Sequence, residues 1–175
     1  MPSVILRPNA AGDLTNIPSQ FPAASSHWDK VDEVVADDDV TYVFSTVRSL
    51  DTDLYNLPAY TGGSVIKYID VYAVLKEETA GGQFQIICKT HGTVYGGGYG
   101  ALTNDYVLRV HHWALNPFTL AAWTVAEIDD LQIGIELYPA LGGGAYVRCT
   151  QMYVDITYAQ AGYNISSKMV DMGAI

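Results

Sequence analysis

An alternation of apolar and polar residues with a period of two recurs along most of this chain, and it is clearest over residues 65–75. Successive side chains of a β-strand point to opposite faces, so this run has two faces. One face carries Ile66, Tyr68, Asp70, Tyr72 and Val74, and the other carries Val65, Lys67, Ile69, Val71, Ala73 and Leu75. The second face is the more apolar apart from Lys67, and we expect it to face inward.

Further strand-like runs follow the same pattern and are separated by Gly, Pro, Asn and Asp. They cover residues 40–46, 84–88, 106–113, 131–138 and 146–158. Short strands with turn residues between them are typical of antiparallel sandwiches. The sequence therefore predicts an all-β protein, with a single antiparallel, jelly-roll-like β-sandwich over residues 1–158.

One short helix is predicted near residues 124–131. Thr124 precedes Glu127 by three residues, which is the spacing of a capping box. Three apolar residues then follow along one side at three-residue spacing, namely Val125, Ile128 and Leu131. We expect this helix to close one end of the sandwich, with Trp123 beneath it.

Charge is sparse for a chain of this length. Charged residues make up 16% and hydrophobic residues 49%, against roughly 25% charged residues in an ordinary soluble domain. Such a surface stays partly apolar, so we expect contacts with other copies of the chain and with other proteins. No apolar run approaches the ~18 residues that cross a bilayer.

The net charge of −10 excludes two classes of partner. The nine basic residues are scattered, whereas nucleic-acid binding needs a clustered positive surface. The acidity also opposes docking on an anionic membrane. We expect neither nucleic acid nor membrane as a partner, and the N-terminal residues lack the pattern of a Sec signal peptide.

Two groups of residues were weighed as metal sites. His111 and His112 are adjacent in a strand-like run, so they point to opposite faces and do not share an ion. The triplet Asp37-Asp38-Asp39, with Asp51 and Asp53 nearby in sequence, could offer oxygen ligands to Ca²⁺. It lacks the spaced ligands of an EF-hand, and a solvated acidic turn is favoured. We predict no metal and no cofactor.

No pattern of catalytic residues is evident. The chain has no Gly-x-Ser-x-Gly elbow, and no Cys–His pairing can be inferred. Two carboxylates from different strands could still meet, as glycoside cleavage requires. Cys88 and Cys149 lie in strand-like runs, where buried free thiols are favoured over a disulfide. We predict that the chain is not an enzyme.

Two glycine-rich stretches were weighed as loops. Residues 95–100 carry Tyr95 and Tyr99 around three consecutive glycines. The structural interpretation is a hairpin whose base the two tyrosines hold. The alternative is an aromatic contact loop, because tyrosine presents a large amphipathic area to protein interfaces or sugar rings. Residues 141–144 carry no aromatic side chain and predict a plain turn.

The segment 159–175 loses the alternation and is predicted to be a C-terminal extension or arm. It keeps apolar residues that a purely disordered tail would lack. Its candidate contact residues are Tyr163, Ile165, Met169 and Met172. An arm of this kind gains order by covering a neighbour's apolar surface.

Several short motifs also carry a resemblance to a known group of proteins. They are Leu6-Arg7-Pro8-Asn9 with Gly12-Asp13, residues 27–33, residues 53–58, Asn116-Pro117 with Trp123-Thr124, residues 131–135 and residues 148–155. Through them the chain resembles β-sandwich virion proteins of tailed phages and environmental viruses. The resemblance covers most of residues 1–158 and implies a location in the virion with no attached catalytic residues.

These observations lead to one main hypothesis and one alternative. The main hypothesis is a non-enzymatic virion structural protein, a capsid decoration or a tail or fibre appendage subunit that acts through protein–protein contacts. The alternative is a carbohydrate-binding module for adhesion to a host or surface glycan. Aromatic side chains open on a sheet face would favour the module, and buried aromatics with broad self-contacts would favour the subunit.

Overall fold

The structure is a computed structural model that describes residues 1–140 and 146–160. Its strands are β1 (Ser3–Leu6), β2 (Ala10–Thr15), β3 (Ser19–Phe21), β4 (Tyr42–Ser45), β5 (Asp51–Asn56), β6 (Val65–Glu77), β7 (Gln83–Thr90), β8 (Thr93–Gly96), β9 (Gly100–Ala101), β10 (Val107–Trp113), β11 (Gln132–Tyr138) and β12 (Val147–Ala159). A 3₁₀ helix spans His27–Lys30, and the helix α1 spans Val125–Asp129.

The strands form two antiparallel sheets that pack face to face. Sheet I has the order β10-β6-β12-β4-β3, and β1 pairs with β12 beyond the end of β4. Sheet II has the order β2-β5-β11-β7-β8, with β9 also pairing with β7. Strands β7, β8 and β9 all lie in sheet II, and the other successive strands from β4 to β12 change sheet, as in a jelly roll. The predicted antiparallel β-sandwich is confirmed.

The core lies between the sheets and comes from the inward residues of the alternating strands. Strand β6 contributes Ile69, Val71, Ala73 and Leu75, all of which are buried. This confirms the inward face assigned from the alternation. From sheet II, Ile133 and Ile135 are fully buried opposite them.

One end of β6 departs from the predicted faces. Ile66 is buried, while Val65 is 53% exposed. The reason is a register shift between Thr157 and Tyr158 on the neighbouring β12, because an irregularity of one residue exchanges the two faces. The assignment of Val65 and Lys67 to the inward face and of Ile66 to the outward face was therefore wrong.

The helix α1 and its cap agree with the sequence prediction. The Thr124 hydroxyl accepts a hydrogen bond from the Glu127 amide at 3.2 Å, and the Glu127 carboxylate accepts one from the Thr124 amide at 2.7 Å. Ile128 and Leu131 are buried, and so is Trp123, whose indole N–H donates to the Trp113 carbonyl at 3.2 Å. None of the helices in residues 1–140 and 146–160 is long and apolar enough to span a membrane.

The last described strand reaches the first residue of the predicted C-terminal extension. Strand β12 continues through Ala159, which pairs with Val65, so the first residue of the predicted extension belongs to the sheet. The rest of that extension from residue 161, including Tyr163, Ile165, Met169 and Met172, lies outside the described residues. Residues 141–144 of the predicted plain turn lie outside them as well.

Candidate functional site

The outer face of sheet I gathers aromatic and acidic side chains into rows that run across the strands. Opposite residues of antiparallel strands share a face, so the register defines each row. Tyr153 of β12 lies opposite Tyr72 of β6, and Asp155 lies opposite Asp70. His112 of β10 continues the acidic row beside Asp70. We call Tyr68, Asp70, Tyr72, His112, Tyr153 and Asp155 the tyrosine face.

The two central tyrosines of this face stack on each other. The ring centroids of Tyr72 and Tyr153 are 4.7 Å apart with an interplanar angle of 14°. The guanidinium of Arg7 lies 5.1 Å from the centre of the Tyr153 ring, and its Nε donates to the Glu33 carbonyl at 3.0 Å. Stacking and the cation–π contact both fix the rings in place.

Both stacked phenols stay protonated in ordinary buffers. Partial burial raises the pKa of Tyr72, and the nearby Asp70 carboxylate raises it further. Burial likewise raises the pKa of Tyr153, although the Arg7 charge opposes that shift. Each phenol can therefore both donate and accept a hydrogen bond at the surface.

The acidic row supplies hydrogen-bond acceptors beside the rings. The Asp70 carboxylate lies 2.7 Å from Nδ1 of His112, whose ring packs 4.8 Å from the ring of Tyr68. Asp155 has one oxygen, Oδ1, that is shielded from solvent and has no hydrogen-bond partner. The face therefore combines flat apolar rings with carboxylates that accept from hydroxyl groups.

A second cluster of aromatic and charged residues lies farther along the same outer face. Arg148 donates to Asp39 at 2.6 Å and lies 4.6 Å from the centre of the Tyr42 ring. Lys76 contacts Asp39 at 3.2 Å and lies 4.8 Å from the centre of the Tyr106 ring. Both cations of this cluster therefore already have carboxylate partners.

The structure separates the two histidines of the predicted strand pair. His112 points outward to Asp70, whereas the His111 ring contacts that of Trp113 with centroids 4.2 Å apart. Burial lowers the pKa of His111, and the neighbouring His112 lowers it further. The prediction that they face opposite ways is confirmed.

The acidic residues weighed as calcium ligands have other partners. Asp37 accepts from the hydroxyls of Thr41 and Thr150, and Asp39 pairs with Lys76 and Arg148. Asp51, by contrast, points between the sheets and accepts from the hydroxyls of Ser45 and Ser49. No group of three His, Cys, Asp or Glu side chains with metal-binding geometry occurs within residues 1–140 and 146–160.

Asp53 is fully buried and is held by three donors. Its carboxylate accepts from the Ile17 amide at 3.0 Å and the Tyr55 hydroxyl at 3.2 Å, and it lies 2.6 Å from Nδ1 of His27. His27 borders an open groove of about 440 Å³ beside Ser19 and Phe44. Because all its donors come from the fold itself, the Asp53 network is structural.

The two candidate tyrosines of the glycine-rich loop lie on sheet II, away from the tyrosine face. Tyr95 is half-buried in β8 and packs against the core. Tyr99 is 51% exposed, and its hydroxyl donates to Glu136 at 3.1 Å. They flank the three consecutive glycines of the loop. The two cysteines are buried and free.

Comparisons with known proteins found solved structures that are similar to this chain at about 10% sequence identity. No family model matches the chain, and no curated protein matches it in sequence. A family 29 carbohydrate-binding module superposes with a TM-score of 0.46 and 10% identity over 89% of this chain and 90% of that one. A variant of such a module complexed with mannohexaose has a TM-score of 0.46 and 10% identity over 88% of this chain and 91% of that one. Another variant, complexed with cellulohexaose, has a TM-score of 0.40 and 10% identity over 66% of this chain and 68% of that one.

The tyrosine face is not evident as a site from the linear sequence. The alternation did place Tyr68, Asp70 and Tyr72 together on the outward face of β6. Tyr153 and Asp155 have the same Tyr-x-Asp spacing, and pairing of β6 with β12 sets the two motifs side by side. Two strands with aromatic and acidic residues on one face are the signal that could have found it.

Proposed function

We propose that the chain is a glycan-binding module whose ligand lies across the tyrosine face. The observation that carries the proposal is the pair of opposed motifs, Tyr72 with Tyr153 and Asp70 with Asp155, on the outer face of sheet I. The six side chains of the tyrosine face are all partly or fully exposed to solvent. An aromatic surface with a few fixed polar groups is the usual composition of a small-molecule site.

The chemistry of the face fits a sugar chain. The apolar C–H face of a pyranose packs against aromatic rings, and tyrosine adds a polar group at the ring edge. The Asp70 and Asp155 carboxylates would accept from ring hydroxyls, and hydrogen bonds to charged acceptors are the stronger kind. A net charge of −10 and two central carboxylates favour a neutral glycan over a polyuronate.

Affinity electrophoresis tests this proposal with soluble polysaccharides in the gel. We expect at least one neutral polysaccharide, from a panel of glucan, mannan, galactan and xylan, to retard the protein. Polygalacturonate should retard it less than that polysaccharide does. The Tyr72→Ala variant should lose affinity roughly tenfold or more, because central aromatic residues dominate binding energy.

Tyr99→Ala is the matched control, since it removes an exposed tyrosine from the other sheet. It should bind as the unaltered protein does, and thermal melting should show that both variants are folded. A protein that no neutral polysaccharide retards would contradict the proposal. So would equal losses in Tyr72→Ala and Tyr99→Ala.

A structural subunit of a virion is the second candidate function. Exposed aliphatic side chains outside the tyrosine face support it, because protein contacts bury exposed apolar surface. Val34 and Val35 are each 78% exposed in one loop, and Leu120 is 76% exposed in another. Copurification of the chain with virus particles at a fixed copy number would support this role, and its absence from such particles would exclude it.

A further inference from the structure

Strand β10 is an open edge of sheet I. It pairs with β6 on one side, in an uninterrupted register from Val107 opposite Leu75 to Trp113 opposite Ile69. No other strand within residues 1–140 and 146–160 pairs with it. Its second side therefore presents backbone N–H and C=O groups without strand partners, which is a template for another strand.

The other sheet edges in the described part of the chain are short or irregular. Strand β1 has four residues between Pro2 and Pro8, and β3 has three residues followed by Pro22. Strand β8 has four residues, and β2 has a register shift against β5. Short strands, proline and bulges are the devices that protect edges from pairing. With seven regular residues, β10 has none of these.

The side chains of β10 leave this edge apolar and without a free outward charge. Leu108 is 51% exposed and Val110 is 54% exposed on the outer face. The His112 ring contacts the Asp70 carboxylate at 2.7 Å. Arg109 points to the inner side, where it donates to the Ala101 carbonyl at 3.3 Å and lies 5.9 Å from the centre of the Phe84 ring.

We propose that β10 pairs antiparallel with β10 of a second copy of this chain, so that two sheets I form one continuous sheet. One edge strand that pairs with itself about a two-fold axis consumes both open edges, so the assembly closes at two copies. The inference is independent of glycan binding, although a dimer would set two tyrosine faces side by side.

Charge disfavours one register of this pairing and permits the one centred on Val110. Centring the two-fold axis on Arg109 would place two guanidinium groups opposite each other, and like charges directly opposite are destabilising. Centring it on Val110 places the two Val110 side chains together and Arg109 opposite His111. Because burial lowers the pKa of His111, Arg109 meets a neutral ring in that register.

The area of this contact predicts a weak dimer. Seven residues at about 3.4 Å each span roughly 24 Å, and a two-layer sandwich with its outer side chains is roughly 20 Å thick. The strip is then roughly 500 Å² per copy and 1,000 Å² in total, at the lower limit of a specific interface. Cross-linking is therefore a better probe than the mass of the unaltered protein alone.

A pair of cysteine variants tests the arrangement. In the Val110-centred register, the Val110 Cα atoms lie about 4.5–5.5 Å apart, within the range that a disulfide spans. The Leu108 Cα atoms lie roughly 14 Å apart, since each is offset by four residues, and a disulfide does not reach that far. Cys88 and Cys149 are buried and contribute equally to both variants.

Under mild oxidation, we expect Val110→Cys to give a disulfide-linked dimer on a non-reducing gel and Leu108→Cys to give little. Both sites are exposed to a similar extent, so random collision would link them equally. The two variants are first checked for an unaltered melting temperature. Equal yields, or a higher yield from Leu108→Cys, would overturn the proposed pairing.

Discussion

Single buried residues between the sheets are stabilised by partners from distant parts of the chain. The carboxylate of Asp53 in β5 forms hydrogen bonds with the His27 ring, the Ile17 amide and the Tyr55 hydroxyl. A buried carboxylate with these donors avoids most of the cost of leaving water. Cys88 has no such donor, and burial raises the pKa of its thiol to about 12.

The raised pKa of Cys88 predicts a loss of stability at alkaline pH. Above the ordinary thiol pKa of about 8.5, the unfolded chain releases this proton while the folded chain keeps it up to about 12. The unfolded state then binds fewer protons, so the free energy of unfolding falls as the pH rises, by about 1.4 kcal/mol per unit for this thiol. Below pH 8.5 the group has no effect on the slope.

Urea unfolding measured from pH 8 to pH 10 checks this expectation. The Cys88→Ala variant should be less stable at every pH because of its cavity, but its stability should fall less steeply with pH. The unaltered protein is the reference, since both chains retain Cys149. If the two slopes coincide, the Cys88 thiol does not control the alkaline loss.

Local sequence defines the helix α1 more fully than it defines any strand. The capping box of Thr124 and Glu127 satisfies amides at the first turn within the segment itself. The strands instead depend on their neighbours, as the face exchange at Val65 and Ile66 shows. The packing of Trp123 joins the helix to the end of the sandwich.

Two substitutions at α1 separate the cap from the packing. Thr124→Ala should lower the free energy of unfolding by about 1 kcal/mol through loss of the cap. Trp123→Ala should lower it by roughly 3–5 kcal/mol, since the indole is buried and bonded to Trp113. Urea unfolding gives both values, and equal negligible shifts would contradict the packing of this helix on the core.

At the scale of the whole molecule, the two sheets enclose a core from residues 1–160. Strand β12 lies centrally in sheet I, where it contributes the buried Met152, Val154 and Ile156. It ends at Ala159, which is the first residue of the predicted arm. We therefore expect the fold to be complete without that arm.

Deleting residues 161–175 tests the arm directly. The shortened chain should keep nearly the melting temperature of the full chain, whereas its association with other proteins or copies should weaken. Thermal melting measures the stability, and sedimentation-velocity ultracentrifugation measures the association. Loss of folding without any defect in association would show that residues 161–175 belong to the chain's own core.

The sequence alone determined the all-β class, the inward face at the centre of β6 and the capped helix, because each depends on local periodicity or spacing. The tertiary structure decided which strands became neighbours. Strand β5 carries Asp51 and Asp53 on its inward side, so its sequence does not show the apolar alternation of a strand. Only the fold brings Ser45 to Asp51 and His27 to Asp53 as hydrogen-bond partners. The tyrosine face depends equally on pairing, since Tyr72 and Tyr153 are 81 residues apart and only the register between β6 and β12 brings their rings together.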